Sequence, residues 1–88
     1  MITSANNVGK QVAVTNVEFN KEMMHISLSD GRILTVPFHQ ITWLHWLAKA
    51  TDAQRQKWEI EPGGFAVYWD DLDDGVEMAH LLAMESLA

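Results

Sequence analysis

The chain has no cysteine. That single absence excludes disulfides, thiolate chemistry and cysteine-ligated zinc, and it agrees with a reducing compartment. Positive charge is scarce: six lysines and arginines face twelve acidic residues, for a formal charge of −6. Sequence-independent nucleic-acid binding depends on lysine and arginine neutralising phosphates. Here Lys10, Lys21, Arg32, Lys49, Arg55 and Lys57 are spread along the chain, which argues against direct DNA or RNA contact. The acidic balance points instead to a basic protein partner. No stretch approaches the roughly 18 consecutive apolar residues of a membrane span. The opening "MITSANNVGKQ" lacks the basic start and apolar run of a signal peptide. A cytoplasmic protein without membrane contact is therefore expected. Internal repeats and low-complexity tracts are also missing.

Eighty-eight residues support one hydrophobic core. Residues 1–10 are small and polar and read as a flexible N-terminal tail, leaving 11–88 as a single domain. "QVAVTNVEF" has the valine density of a strand, with Val12 and Val14 on one face and Val17 and Phe19 on the other. That change of face predicts a bulge near Asn16. Asn20-Lys21 is a short turn. "EMMHISLS" alternates Met24, Ile26 and Leu28 against Met23, His25 and Ser27, as a half-buried strand does. Asp30-Gly31 signals a two-residue hairpin of type I′, and "RILTVPF" returns as a third strand that Pro37 ends.

From "HQITWLHWLAKA" the period becomes helical, with Ile41, Leu44, Leu47 and Ala48 on one stripe. Thr51 and Gln54 form a capping box that opens a second helix over "TDAQRQKWEI". Pro62-Gly63-Gly64 turns the chain into a fourth strand, "FAVYW", and "GVEMAHLLAMESLA" closes as a helix. The expected fold is α+β, a small antiparallel sheet of about four strands in β-β-β-α-α-β-α order with helices packed on one face.

The densest chemistry is "WDDLDDG", with Asp70, Asp71, Asp73 and Asp74 in five positions. An EF-hand loop needs oxygen ligands at positions 1, 3 and 5, glycine at 6 and a bidentate glutamate at 12. Starting from Asp70, Asp74 and Gly75 fit, but Leu72 and Leu81 fall where ligands are required, so no metal site is assigned. The structural alternative is helix capping: Asp74 as N-cap places Glu77 at the third helical position, and the carboxylates complement the helix dipole. Leu72 would then pin the loop to the core. Capping leaves Asp70 and Asp71 without a task, and both become candidates for partner contact.

Glu77 and His80 are half of a carboxylate-bridged metal motif, but no second such pair exists, and His25, His39 and His45 do not converge. Ser27, Ser29 and Thr35 lie in strands without a glycine-rich elbow, so no catalytic residue is assigned. No cofactor is implied. Four tryptophans are many for a core this small, and tryptophan is enriched in interface hot spots. Trp46 lies furthest round from the apolar stripe and is the candidate anchor, although packing between helices and sheet is the plainer use of all four. The last helix is apolar on most sides, through residues such as Met78 and Met84, and suggests a partner surface or a homodimer.

Asp30-Gly31 followed by a strand, then "WLAKATDAQRQKWEIEPGGFAVYWDDLDDGVEMAHLL", resembles the bacterial family known as domain of unknown function 2442. The likeness rests on Leu47, Ala50, Thr51, Arg55, Trp58 and Glu59, then Gly63, Gly64, Trp69, Asp71, Leu72, Asp73 and Leu81-Leu82, and it covers roughly residues 11 to 83. The resemblance implies a small α+β module, gene pairings that suggest toxin–antitoxin systems, and no catalytic residues to carry over. The leading expectation is a non-enzymatic interaction module, antitoxin-like or regulatory within a two-protein system. A metal-dependent enzyme or toxin using the acidic loop is the alternative, and an acidic nucleic-acid mimic is the weaker one.

Overall fold

A computed structural model describes residues 12–87, with side chains as far as Ala83. The N-terminal tail reading falls outside these residues. The fold is α+β, but its strands form two antiparallel sheets of three rather than one of four. The first contains β1 (Val14–Phe19), β2 (Met24–Leu28) and β3 (Ile33–Val36) in sequential order. A 3-10 turn at Thr42–Leu44 leads into α1 (His45–Ala48), and α2 (Asp52–Arg55) follows. The second sheet contains β4 (Trp58–Ile60), β5 (Ala66–Trp69) and β6 (Asp74–Glu77), again in sequential order, before α3 (Met78–Leu87).

The bulge in β1 is present: the register shifts between Val14, opposite Leu28, and Asn16, opposite Ser27. One extra residue lets Val14 and Val17 both face the core. In the first turn Asn20 Oδ1 accepts the backbone N–H groups of Glu22 and Met23 at 2.9 and 2.8 Å. The second turn differs in type from the expected I′. Gly31 has φ 94°, Asp30 stays at negative φ, and Leu28 and Arg32 pair across a three-residue loop. Only one position needs the left-handed region, so this is a type I turn closed by a glycine bulge. Asp30 accepts the Arg32 amide and Nε at 3.1 and 2.8 Å. The amide bond, above all, holds its carboxyl below the usual carboxylate range.

The second helix is shorter than its pattern. Thr51 and Gln54 do form a reciprocal capping box, but the helix stops at Arg55, and Trp58–Ile60 pairs with β5 as Trp58↔Trp69 and Ile60↔Val67. Three residues have too little local preference to resist a partner strand that buries their apolar side chains.

Core residues from both sheets and the helices make one cluster, with Met24, Ile26, Phe38, Leu44, Leu47, Val67 and Trp69 fully enclosed. Phe19 meets Phe38 and Trp69 edge-on at 5.5 and 6.3 Å, joining the sheets. Arg55 is the buried charge. Its Nε donates to the Leu47 carbonyl at 3.1 Å, and one terminal nitrogen donates to the Ala48 carbonyl at 2.8 Å, both at the end of α1. The guanidinium carbon stands 4.9 Å from the Phe38 ring centre. The Arg55 carbonyl in turn accepts the Trp69 indole N–H at 3.0 Å. The chain just before β1 packs closely on Gly64, where a Cβ would come within 2.5 Å of the Ala13 Cβ and 3.2 Å of its Cα.

Candidate functional site

The aspartate stretch does not begin a helix. Asp70–Leu72 is a single 3-10 turn, Asp73 adopts the left-handed region at φ 52°, and Asp74–Glu77 is an edge strand. Its pairs are Trp69↔Asp74, Tyr68↔Gly75, Val67↔Val76 and Ala66↔Glu77. The N-terminus of α3 is served by this ladder, because the Met78 N–H donates to the Phe65 carbonyl at 2.8 Å. The expected cap at Asp74 is therefore replaced by sheet pairing. The period-two placement of Val76 and Met78 in the core outweighs the local capping signal.

Each aspartate has a separate setting. Asp71 Oδ2 lies 3.4 Å from Lys57 Nζ in an exposed pair. Asp73 accepts the Tyr68 hydroxyl at 2.7 Å, and Asp74 accepts the Gly75 amide at 2.8 Å. Asp70 is exposed. Leu72 is half-buried against the core. The bond to Asp73 stabilises the protonated phenol. With smaller contributions from desolvation and from the charges of Asp73, Asp70 and Asp74, it pushes Tyr68 up to about 12. Among the described residues no cluster of three or more His, Asp or Glu could hold a metal ion. His80 and Glu77 approach to 3.9 Å without a third ligand.

The tryptophans divide differently from the expectation. Trp46 is half-buried and meets the enclosed Trp69 edge-on at 5.6 Å. Trp43 is the exposed one, at 41%, steadied by an edge contact with His80 at 5.8 Å. Met78 belongs to the core and offers little surface. The Met84 side chain lies outside the described residues.

Structure brings Trp43, Trp46 and Tyr68 together with Glu61, Asp74 and Glu77 around a hollow of about 500 Å³ at the β6 edge. Tyr68 is fixed at both ends. Its hydroxyl is tied to Asp73, and its ring lies against Gly75, where a Cβ would come within 3.0 Å of the ring. A second hollow, about 620 Å³, shares Glu61, Ala66 and Glu77 and continues past Phe65 and Leu82. Among the described residues, no lysine or arginine lines either. The signal in the sequence is a charge boundary: eight of the twelve acidic residues follow Lys57, and none of the six basic ones does. Of the candidate partner residues with described side chains, Trp46 lines the first hollow and Met78 the second; Asp70 and Asp71 lie on the turn that precedes β6.

Residues 14–84 match the model of the family described as Protein of unknown function (DUF2442). The chain belongs to this family. Two solved structures share the fold. A protein of unknown function from Rhodospirillum rubrum is 19% identical, with a TM-score of 0.72, over 85% of this chain and 89% of that one. An uncharacterized protein from Chromobacterium violaceum is 20% identical, with a TM-score of 0.68, over 93% and 73%. No curated protein matches. Some of the residues that carry the resemblance have physical roles in this chain. Arg55 closes α1, Trp69 bonds to Arg55, and Gly64 admits β1. Among the described residues, no helix is long and apolar enough to cross a membrane.

Proposed function

We propose that this domain is a non-enzymatic protein-interaction module that takes a basic segment of a partner protein on the acidic, aromatic edge of its second sheet. The observation that carries the reading is the first hollow. The exposed Trp43 and the half-buried Trp46 and Tyr68 stand there among Glu61, Asp74 and Glu77, and among the described residues no lysine or arginine lines it. Aromatic faces attract cations, and the exposed carboxylates beside them offer charge-assisted hydrogen bonds to the same cation. Three acids elsewhere are matched, Asp30 to Arg32, Asp52 to Arg55 and Asp71 to Lys57. The finer role, the antitoxin-like or regulatory half of a two-protein system, follows from the gene pairing that the family resemblance implies.

Tryptophan fluorescence tests this directly. A short peptide alternating arginine with leucine should shift the emission, and its glutamate-for-arginine counterpart should not. Raising salt to about 0.5 M should weaken the response, since exposed charges are screened within a few ångströms there. Trp43→Ala, a substitution at a surface ring, should reduce binding without unfolding the domain. Equal response to the acidic peptide would overturn the proposal.

A further inference from the structure

The two hollows adjoin, with Glu61, Ala66 and Glu77 as a common wall, yet their remaining linings differ in chemistry. The first offers Trp43, Trp46 and Tyr68 beside Asp74 and His80. The second offers Val12, Phe65, Met78, Ala79 and Leu82, with no charged group among the described residues beyond the shared glutamates. Both have volumes in the range of sites that hold ligands rather than of packing defects.

We propose that the pair reads a two-part determinant on the partner: an arginine side chain in the first hollow and a large apolar side chain close by in the second. The inference rests on the interaction reading above and names its ligand chemistry. Arginine suits the first hollow because a planar guanidinium stacks on indole and phenol faces while its fork meets carboxylates. It is also more weakly hydrated than an ammonium group. Tyr68 is held rigidly by Asp73 and Gly75, so its ring need not be ordered on binding. In the second hollow Phe65 is 48% exposed, and its ring occupies the space beside Gly63, where a Cβ would fall 2.8 Å from it. An exposed aromatic ring next to Leu82 is matched by apolar surface, and flanking glutamates require that surface to come from a cationic segment. A second copy of this chain meets that requirement poorly, because a two-fold contact would set Glu61 and Glu77 against an equally acidic face.

The test uses glycine-serine peptides carrying one arginine, with or without one leucine placed at successive positions on either side, titrated against the full chain by fluorescence. At one or more spacings leucine should improve affinity about tenfold, as expected for burial of most of that side chain. Phe65→Ala should abolish the leucine gain and leave the arginine-only affinity. Trp43→Ala should weaken all the peptides alike, and lysine in place of arginine should bind several-fold more weakly. Circular dichroism confirms that both variants fold. If leucine adds nothing at any spacing, or lysine equals arginine, the two-part determinant is wrong while the basic-partner reading stands. If no arginine peptide binds, both fail. A dimer in sedimentation equilibrium that Phe65→Ala dissociates would assign the second hollow to another copy and overturn the inference.

Discussion

Replacing Arg55 tests what holds the two halves together. Its side chain is 11% exposed, whereas that of Asp52, its ion-pair partner at 2.9 Å, is 97% exposed. The pair should therefore contribute little, under about 1 kcal/mol even with the dipole of α2 included. The bonds to the Leu47 and Ala48 carbonyls are different, because a charged donor is directed into the protein at the end of α1. Hydrogen bonds of this kind contribute about 1.5 kcal/mol or more each, and the contact with Phe38 adds roughly 1 kcal/mol. Arg55→Ala should thus cost about 4 kcal/mol, a large part of the roughly 4–13 kcal/mol available to a domain of this size. Arg55→Lys keeps the charge but reaches only one carbonyl, so about half the loss should remain. Urea unfolding followed by tryptophan fluorescence measures this as a lower midpoint with an unchanged slope. Asp52→Ala should barely move the midpoint. A loss below about 1 kcal/mol for Arg55→Ala, or an equal loss for Asp52→Ala, would refute the assignment.

Four further outcomes follow from other contacts. Gly64→Ala combines φ +74° with a Cβ 2.5 Å from that of Ala13, and should destabilise by roughly 2–4 kcal/mol in urea unfolding. Gly31→Ala, at φ +94° with nothing within 4 Å, should cost only about 1 kcal/mol. Tyr68 is the sole tyrosine, so phenolate absorbance reports it alone. Its midpoint should lie near 12 and fall in Asp73→Asn, a residue that tolerates the left-handed backbone. Because folding raises this pKa above its ordinary value of 10.0, the associated stability is present below that value and is lost as pH rises through about 12. Finally, Asn20 Oδ1 is occupied by two backbone donors, so its Nδ2 must face His25 Nε2 at 3.1 Å. Nε2 therefore accepts, and Nδ1 carries the proton toward Thr35 at 3.3 Å. Long-range proton–nitrogen correlation spectra should show that tautomer for the neutral ring, and the opposite one would contradict the geometry.

The features legible in the sequence are those decided within a few residues. The valine spacing around Asn16 announced the bulge, and Thr51 with Gln54 announced the cap of α2. The position of the Asp30-Gly31 turn was equally plain. Its type was not, because the same dipeptide serves a two-residue I′ turn and the glycine bulge found here. The second sheet was harder to read. Its middle strand stood out, but β4 and β6 are short segments whose local signals point to a helix end and a helix cap. Pairing on either side of β5 decides both. The candidate site was hidden for the same reason. Trp43 and Trp46 are three residues apart, and only the position of Trp69 settles which indole is covered. Tyr68, Glu61 and Glu77 meet only once the ladder sets Glu77 beside Ala66 and Gly75 beside Tyr68.

The central claim is that the acidic, aromatic edge of the second sheet receives a basic segment. Backbone and indole chemical-shift mapping during titration with the arginine–leucine peptide tests it most directly. The account predicts that the largest changes fall on the Trp43 and Trp46 indoles, Tyr68, and residues 74–77. Changes confined to the outer face of the first sheet, or none at peptide saturating enough to quench fluorescence, would contradict it.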